Sequence, residues 1–514
     1  MVYSSNDDIM MRYIFIIHAM TTQHKTKSQS WKNKFREKLI DIIGNEGVIS
    51  SDDELLAYDC DALTSYRIKP IFVVLPTNAQ QVSQVVKECY LENIPFVPRG
   101  AGTGLSGGAL PTDEGIVISL SRMNKILDVD IPNQRVVVEP GVVNLWVTNA
   151  VSPYGYYYAP DPSSQIVCTI GGNVAENSGG VHCLKYGVTT NHVLGVEMVL
   201  PDGEIIEIGG KTLDTPGYDL TGLIVGSEGL LGIVTKVTLK IIKKPEAVKT
   251  LLASYDNVED AGASVSGITA RGVIPAGMEI MDSFCIISVE ETIGAGYPID
   301  AGAILLVELD GPTAEVQAQL PIVEQVLREN NAIEIKIAKN SKERDLLWKG
   351  RKSAFPAMGR ISSDYYVQDG VIPRSKLAEV LGEIGELSKK YGLRVANVFH
   401  AGDGNLHPLV LYDASKEGDL DKTLELAGEI LKVCVDKGGS ITGEHGVGHD
   451  KKRFLSLMFD DNDLDAMNLI RCAFDNKGLC NPGKLFPTPR TCVEPGMKKF
   501  EPHPVQKAGM GEMY

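Results

Sequence analysis

Two short motifs in the C-terminal half of the chain combine histidines with a carboxylate. The first runs from His400 to His407 through a Gly-Asp-Gly-Asn turn, and the second places Glu444 beside His445 between two glycines. An apolar, strand-like segment precedes the turn, so the two imidazoles of the first motif can converge across it. Two histidines and a glutamate with open coordination positions are typical of a divalent metal centre, and the absence of cysteine from both motifs favours zinc, manganese or iron(II). Structural histidines that are hydrogen-bonded to the backbone of a glycine turn are the alternative interpretation.

Two arginines are candidates for binding an anionic substrate. Arg351 lies in a Trp-Lys-Gly-Arg-Lys segment, and Arg360 follows a glycine nine residues later. A guanidinium fork suits a carboxylate better than an ammonium group does, because it donates two parallel hydrogen bonds. Each arginine can equally be a cation on a helix surface, in an ion pair that contributes little.

Glycine-rich loops are the strongest signal in the N-terminal half. Residues 98–111 contain a formal Gly-x-Gly-x-x-Gly, but that fingerprint must open a helix, whereas here Gly107, Gly108 and Pro111 argue against one. What remains is a loop with many free backbone N–H groups, able to approach a pyrophosphate. Alone it could be a plain surface loop. Two more loops of small residues, at 160–180 and 226–229, favour three loops around one extended ligand.

Strands and helices alternate in both halves of the chain. Short apolar runs from residue 71 onwards predict buried strands, and helical spacing recurs through residues 79–93. Asp202-Gly203 predicts a two-residue hairpin turn. Pro245 predicts a domain boundary, because a second strand–helix–strand series follows it. The sequence therefore predicts two α+β units.

Composition and charge exclude several classes of function. The formal net charge is −16 and no long basic run occurs, which argues against nucleic-acid binding. Nine scattered cysteines without a Cys-x-x-Cys pair indicate a reducing compartment and no iron–sulfur cluster in this chain. The apolar run at residues 13–17 is far too short for a membrane span. We interpret residues 1–19 as an extension before a natural start at Met20, with a degenerate signal peptide as the alternative.

The loops and the histidine motifs together resemble a known family. They are similar to the flavin domain shared by vanillyl-alcohol oxidase and p-cresol methylhydroxylase relatives. The closest likeness is to the FAD-binding catalytic subunits of bacterial glycolate oxidases, with D-lactate and D-2-hydroxyglutarate dehydrogenases as further relatives. The resemblance runs from about residue 50 to 487. It implies an α+β fold with a two-part FAD-binding domain of the p-cresol methylhydroxylase type and an α+β, ferredoxin-like cap domain.

This resemblance also implies a domain division and a set of FAD contacts. The expected parts are an extension with a first helix (1–50), the FAD-binding domain (51–244), the cap or substrate domain (245–465), a segment returning to the FAD domain (466–490) and a tail (491–514). The positions that match the family's cofactor-binding residues are Arg99, Gly100, Ala101, Gly102, Thr103, Gly104, Ser106, Asp161, Ser163, Gly172, Asn173, Asn177, Ser178, Gly180, Glu228, Ile233 and Asn481. Some relatives attach the flavin to a histidine in the first loop. That loop has no histidine here, so we expect non-covalent FAD.

The same resemblance assigns roles to the histidine motifs. It implies that His400, His407 and Glu444 bind a divalent metal, zinc or manganese, and that His445 is the catalytic base. The metal would lower the pKa of the substrate hydroxyl, His445 would take its proton, and the hydride would pass to the flavin. Arg351 occupies the position of a substrate-binding arginine, and we prefer it to Arg360. His449 has no such support and is predicted to be a surface residue.

The expected substrate is a small 2-hydroxy acid. Relatives that act on 2-hydroxyglutarate have an asparagine two residues after the second metal histidine, where this chain has Leu409 after Pro408. That difference favours glycolate, oxidised to glyoxylate, or D-lactate as the alternative. A flavin-binding subunit without catalysis is the alternative of another class. The resemblance also implies an iron–sulfur partner subunit, a second flavin-domain subunit, and a cytoplasmic location, peripheral to the inner face of a membrane through those partners.

Overall fold

The structure is a computed structural model that describes residues 27–212 and 216–487. The expectations for residues 1–19 and for the tail at 491–514 lie outside the described residues. Within these two ranges, no helix combines the length and the apolar composition needed to cross a bilayer.

The first part of the chain forms a four-stranded sheet in the order β1-β2-β4-β3. Strands β2, β3 and β4 are parallel, and β1 pairs antiparallel with β2 at the edge. Buried valines, isoleucines and phenylalanines from these strands pack against helices α1 and α3, as expected for strands covered by crossover helices. The elements are α1 (Gln29–Ile43), β1 (Val48–Ile49), α2 (Asp52–Leu55), β2 (Phe72–Val74), α3 (Ala79–Glu92), β3 (Phe96–Arg99) and β4 (Ile116–Ser119).

A second, antiparallel sheet follows, in the order β5-β6-β10-β8-β9, with β7 and β11 paired separately. Its elements are β5 (Ile126–Asp130), β6 (Arg135–Val138), α4 (Asn144–Val151), β7 (Tyr156–Tyr157), α5 (Ile170–Glu176), α6 (Cys183–Tyr186), β8 (Val193–Val199), β9 (Ile205–Gly209), α7 (Leu220–Ile224), β10 (Ile233–Lys240) and β11 (Ile242–Lys243). The predicted hairpin joins β8 and β9, but its length was wrong. The N–H of Leu200 donates to Glu204 O, so the loop has three residues, and Gly203 takes the left-handed conformation (φ 90°) that such a loop needs.

The cap domain is built on an eight-stranded antiparallel sheet. Its first half has the order β15-β12-β14-β13, which is the strand order of a ferredoxin-like unit, as expected, with one additional helix, α9, between β13 and β14. The elements are β12 (Ala247–Tyr255), α8 (Val258–Ala270), β13 (Gly277–Asp282), α9 (Ser283–Thr292), β14 (Ala303–Gly311), α10 (Thr313–Glu329), β15 (Glu334–Ile337), α11 (Ser341–Lys352), α12 (Ala354–Met358), β16 (Asp364–Val367), β17 (Gly370–Val371), α13 (Leu377–Tyr391), β18 (Arg394–His400), β19 (Asn405–Tyr412), α14 (Asp419–Asp436) and α15 (Asp461–Phe474).

The two faces of the cap sheet differ in what they carry. Helices α8, α10, α13 and α14 cover one face with a continuous apolar core. Helices α9, α11 and α12 pack on part of the other face. Val398 and Leu409 lie in that second core, and His400 and His407 point to the same face because side chains alternate along a strand. The histidines therefore face the flavin domain from the cap sheet.

The chain returns to the first sheet after α15. The backbone N–H of Phe96 in β3 donates to Leu479 O, and the N–H of Asn481 donates to Phe96 O. Cys480 and Phe96 therefore form a parallel β-bridge. Leu479 and Cys480 are buried in the core of the first sheet. Residues 479–481 thus pack against β3, and the helix before them, α15, begins at Asp461.

Candidate active site

One cleft lies between the flavin-domain loops and the cap sheet, and it contains both predicted groups of residues. All three glycine-rich loops contribute to its wall, and so do both histidine motifs. The predicted residues that line it are Arg99, Gly100, Ala101, Gly102, Thr103, Gly104, Ser163, Gly172, Asn173, Ser178, Glu228, Ile233, Arg351, His400, His407, Glu444, His445 and Asn481. The metal and base candidates therefore open into the same space as the cofactor candidates.

The first loop leaves room for a ligand close to its backbone. A Cβ on Gly100 would lie 2.5 Å from Thr169 Oγ1, and Gly102 has a φ of 73°, so neither position suits a larger residue. No helix forms between residues 100 and 115, which agrees with the sequence-based argument against a Rossmann site. The loop thus presents main-chain N–H groups, the arrangement that suits a dinucleotide pyrophosphate.

Several buried polar atoms along the cleft have no hydrogen-bond partner among the described residues. They are Asp61 Oδ2, Thr169 Oγ1, Glu176 Oε2, Arg351 Nε and Nη2, His445 Nδ1 and Asn481 Oδ1. Buried polar atoms in folded proteins are nearly always paired, so a row of unpaired ones predicts a polar ligand. FAD offers the phosphate, ribityl and ring polar groups that this row requires, and the residues present fit it.

Four predicted cofactor residues lie beside the cleft and not in its wall. The carboxylate of Asp161 pairs with His182 and Lys352, at 3.0 and 3.2 Å. The amide oxygen of Asn177 accepts the N–H of Thr190. Gly180 packs against the backbone of Asp161, and Ser106 is fully buried beneath the loop. These four residues therefore stabilise the loops and do not contact the cleft directly.

The predicted metal ligands converge on one carboxylate oxygen. His400 Nε2 and His407 Nε2 each lie 3.2 Å from Glu444 Oε1. In the β18–β19 hairpin, His407 pairs with Val398 while His400 pairs with Asn405, so the two imidazoles are diagonal neighbours with ring centroids 5.0 Å apart. A divalent cation fits the three ligand atoms, which lie within 4.8 Å of one another.

The Nδ1 atom of each candidate metal-binding histidine has a hydrogen-bond partner within the protein. His400 Nδ1 lies 2.9 Å from Glu279 Oε1, and His407 Nδ1 lies 3.2 Å from the carbonyl oxygen of Gln368. Donation from Nδ1–H leaves the Nε2 lone pair of both rings directed at Glu444. Histidines that bind metals almost always have such a partner on the other nitrogen, since it fixes the tautomer and the ring orientation.

The charges around the histidines favour a bound cation. Burial alone would lower the pKa of His400, but Glu279 and Glu444 outweigh it and hold that pKa well above the usual value. Burial raises the pKa of Asp403, which lies close to the same groups, to about 6. An excess of carboxylates around two imidazoles is the electrostatic environment that a divalent ion neutralises.

Asp369 organises the loop that carries Glu444 and His445. Its Oδ2 accepts the backbone N–H groups of Gly443, Glu444 and His445 at 2.9 to 3.1 Å. Burial opposes ionisation of Asp369, but nearby positive charge, including that of Lys451 at 3.4 Å, outweighs it and holds its pKa below the usual range. One buried carboxylate therefore fixes the backbone of the second histidine motif.

His445 stacks on His407 and faces the cleft. The two ring planes are 9° apart, with centroids separated by 4.9 Å. Burial lowers the pKa of His445 to about 4, so the ring is neutral near pH 7, which is the form that can accept a proton. Its Nε2 is 3.9 Å from Glu444 Oε1, and with Asp369 and His407 the ring forms a second group of side chains that could hold a metal ion.

The two candidate arginines have different surroundings. Arg351 is 2% exposed and lines the cleft, with its Nη2 2.6 Å from Glu279 Oε2. Arg360 is exposed and donates to the carbonyl oxygen of Glu291, away from the cleft. Phe355, four residues after Arg351, contacts the ring of His407 edge-on at 5.7 Å between centroids. The preference for Arg351 agrees with this arrangement.

The prediction that His449 lies on the surface was wrong. Its ring packs edge-on against Tyr66 at 5.0 Å, and its backbone N–H donates to Ser106 O. Glu228 contributes to the same contact from the flavin domain, since its carboxylate accepts the N–H groups of Val447 and Gly448 at 2.7 Å. The segment after His445 is thus bound to the flavin-domain loops.

Solved structures establish the class of fold. The chain superposes on p-cresol methylhydroxylase with its substrate bound, with a TM-score of 0.76 and 18% identity, over 90% of this chain and 98% of that one. A 4-ethylphenol oxidase from Gulosibacter chungangensis gives the same TM-score and identity, over 90% and 99%. The fold is therefore that of the p-cresol methylhydroxylase class of flavin-binding proteins.

Sequence comparisons establish the family. Residues 70–209 match the model for an FAD binding domain, and residues 244–485 match the model for the C-terminal domain of FAD linked oxidases. Glycolate oxidase subunit GlcD of Escherichia coli (strain K12) is 50% identical over 449 residues, 87% of this chain and 90% of that protein. GlcD of Bacillus subtilis (strain 168) is 40% identical over 88% and 96%, and a D-lactate dehydrogenase of Anaerostipes hadrus is 33% identical over 88% and 96%. The chain belongs to the FAD-linked oxidase family.

Proposed function

We propose that this chain is the FAD-binding catalytic subunit of a glycolate oxidase, which oxidises glycolate to glyoxylate. The observation that carries the proposal is the shared cleft, in which the flavin-domain loops face Arg351 and the histidine motifs. The high identity to the two GlcD proteins supports glycolate as the substrate.

The flavin-domain loops would hold FAD without a covalent bond. Bound FAD supplies the two-electron acceptor for oxidation of the substrate C–H bond. The backbone of residues 100–104 would bind its pyrophosphate, and the unpaired Thr169 Oγ1 and Asn481 Oδ1 are available to its polar groups. The first loop contains no histidine, cysteine or tyrosine that could form a covalent link.

His400, His407 and Glu444 would hold a divalent cation, zinc or manganese. Such a cation supplies Lewis acidity at the substrate hydroxyl. Glu279 and the carbonyl of Gln368 keep both imidazole Nε2 atoms directed at the site. The ligand set of two imidazoles and one carboxylate, without sulfur, supports these metals.

His445 and Arg351 would act on the substrate directly. Arg351 would bind the carboxylate through the guanidinium face that Glu279 leaves open. Its Nε has no hydrogen-bond partner among the described residues. His445 would accept the hydroxyl proton, since it is neutral, faces the cleft and stands outside the ligand set. A positioned group of this kind contributes about 10²- to 10⁴-fold to the rate.

D-Lactate is the second candidate substrate, because a D-lactate dehydrogenase is among the relatives. The apolar surroundings support a small monocarboxylic acid in either case. Leu409 is fully buried in the core of the cap sheet and offers no polar partner to a second carboxylate, and Phe355 forms an apolar part of the cleft wall. A buried carboxylate without a partner is strongly disfavoured.

We also propose partner subunits. The two GlcD relatives are each named as a subunit of glycolate oxidase. The sequence has no Cys-x-x-Cys motif, which supports passage of electrons to an iron–sulfur partner, together with a second flavin-domain subunit. We place the assembly in the cytoplasm, peripheral to the inner face of a membrane through those partners.

Anaerobic mixing tests the function. Purified protein containing FAD is mixed with glycolate, D-lactate or D-2-hydroxyglutarate, and the loss of the yellow flavin absorbance is followed. We expect fast bleaching with glycolate, and slow or no bleaching with the dicarboxylate. Flavin that remains oxidised with every 2-hydroxy acid would instead identify a non-catalytic flavin-binding subunit.

A further inference from the structure

Glu279 is a buried carboxylate that contacts both halves of the proposed substrate site. It lies in the middle of strand β13 and is 0% exposed. One of its oxygens is 2.9 Å from His400 Nδ1, and the other is 2.6 Å from Arg351 Nη2. The carboxylate thus joins a proposed metal ligand to the proposed substrate arginine.

The register of strands β13 and β18 fixes the contact between Glu279 and His400. Glu279 pairs directly with His400 across β13 and β18, so both side chains leave the sheet on the same face at the same level. Both Glu279 oxygens lie within 3.1 Å of His400 Nδ1. This geometry holds the proton on Nδ1 and directs the Nε2 lone pair at Glu444.

The contact to Arg351 fixes the other half of the site. Arg351 reaches the sheet from the last turn of α11 and is almost fully buried. Arg351 Nη2 forms a close ion pair with Glu279 Oε2, and neither Nε nor Nη2 has a hydrogen-bond partner among the described residues, so these donors remain for a ligand in the cleft. A buried guanidinium fixed in this way loses little conformational freedom when it binds a carboxylate.

A buried charge on a central strand is costly, which argues against a merely structural role. Removing a carboxylate from water costs several kcal/mol unless its partners compensate, and apolar residues of similar size often serve stability as well or better. Its neighbours in β13, Met278, Ile280 and Met281, are all apolar and buried. The position would therefore favour an apolar residue if packing alone decided it.

We propose that Glu279 is the positioning residue that couples the metal centre to the substrate-carboxylate subsite. The inference rests on the proposed function, in which His400 binds a divalent cation and Arg351 binds the substrate carboxylate. Glu279 touches neither the substrate nor the cation. It sets the tautomer of His400 and the orientation of Arg351 together, so both binding events depend on one carboxylate.

The test measures two affinities in the FAD-loaded protein. The Mn²⁺ affinity of the chelator-treated protein is obtained from the electron paramagnetic resonance signal of free Mn²⁺. The affinity for oxalate, an unreactive carboxylate, is obtained from the perturbation of the flavin spectrum at saturating Mn²⁺. Glu279→Gln keeps the shape and removes the charge. We expect Mn²⁺ affinity to fall by about 10- to 100-fold, and oxalate affinity to fall by about 10-fold.

Glu308→Gln is the matched control. Glu308 is a buried glutamate on the neighbouring strand and the same face. It pairs with Arg344, at 2.7 Å, with Trp348 and with His182, at 3.3 Å, and not with His400, His407 or Arg351. We expect both affinities to stay at the wild-type value in this variant, although its thermal stability falls. Arg351→Gln should weaken oxalate alone, which separates the two halves of the site.

Wild-type affinity for Mn²⁺, for oxalate or for both in Glu279→Gln would overturn the coupling. If that variant does not accumulate as folded protein, Glu279→Asp is measured in its place, because withdrawing the carboxylate by one methylene must weaken both affinities. A wild-type protein that binds no Mn²⁺ would contradict the metal centre itself, a failure that is visible before any variant is made.

Discussion

The flavin-domain loops and the histidine cluster face each other across one cleft, but they are built from different chemical groups. The loops present main-chain N–H groups, and their glycines are required by space and by φ, as at Gly100 and Gly102. The cluster presents side chains from a hairpin, a loop and a helix. On the side away from the cleft, Glu279 contacts the His400 ring and Asp369 accepts the backbone N–H of His445. A binding site formed by main-chain N–H groups depends on small residues that are close together in sequence within each loop. A site made of side chains depends on charges that are far apart in sequence.

Removal of the metal is expected to have the largest effect on flavin reduction. Treatment with a strong chelator is expected to abolish flavin reduction by glycolate, because the cation is proposed to acidify the substrate hydroxyl. FAD should remain bound, since no proposed metal ligand belongs to the flavin-domain loops. Activity is expected to return with Mn²⁺ or Zn²⁺. Full activity in protein shown by elemental analysis to be metal-free would remove the metal from the mechanism.

Replacement of the base is expected to have the next largest effect. His445→Ala should slow flavin reduction by about 10²- to 10⁴-fold in stopped-flow measurements, while FAD content stays unchanged. His449→Ala is the control, because that histidine lies four residues away and does not line the cleft. Comparable rate losses in both variants would point to a disturbed loop and not to a lost base.

The arginine allows a finer test of the side-chain site. Arg351→Lys keeps the charge but loses the two-pronged geometry, so kcat/KM for glycolate should fall by about 10- to 100-fold. Arg360→Lys, at an exposed position outside the cleft, should leave kcat/KM unchanged. Equal sensitivity at both positions would argue against a specific role for Arg351.

The backbone site should respond to the smallest change that adds a side chain. In Gly102→Ala, the alanine must adopt a left-handed φ. Its methyl group would lie 2.2 Å from Arg99 Nη2 if nothing moved. We expect the FAD dissociation constant to rise by about 10-fold, because the free loop can relax, whereas the FAD-bound loop must keep the left-handed backbone, which costs an alanine about 1 to 2 kcal/mol. Fluorescence of released flavin measures it. Retention equal to that of wild type would show that the loop adapts.

Gly382→Ala provides the matched control and the smallest expected effect. Gly382 lies inside α13, and a Cβ there would meet nothing within 4 Å. Alanine in a helix interior is favoured over glycine by about 1 kcal/mol, so the free energy of unfolding should rise by about that amount. FAD affinity should not change. Urea unfolding followed by circular dichroism measures the first quantity.

The same contrast explains which parts of the site the sequence could predict. The glycine loops and the two histidine motifs are local patterns, and their spacing was enough to indicate one ligand-binding domain and a candidate metal site, with structural histidines as the alternative. Glu279 and Asp369 belong to no motif. They reach their partners from 121 and 76 residues away, through strand pairing and loop packing that spacing along the chain does not encode.

The errors in the sequence-based predictions also have physical causes. Asp202-Gly203 indicated a hairpin correctly, but Pro201 takes part in the turn and lengthens the loop by one residue. His449 was predicted to be exposed because it lacks a motif, whereas contact with Tyr66 and Ser106 leaves it only partly exposed. Both outcomes depend on neighbours that become apparent only once the chain has folded.

The return of residues 479–481 to β3 has a consequence for biosynthesis. These residues hydrogen-bond to Phe96, fill part of the first core, and bring Asn481 into the cleft wall. A ribosome must therefore translate both the first domain and the cap, as far as residue 481, before the dinucleotide pocket has all of its walls. Cofactor loading is thereby deferred until the cap has been made, and a prematurely terminated product would be left without a complete place to retain its prosthetic group.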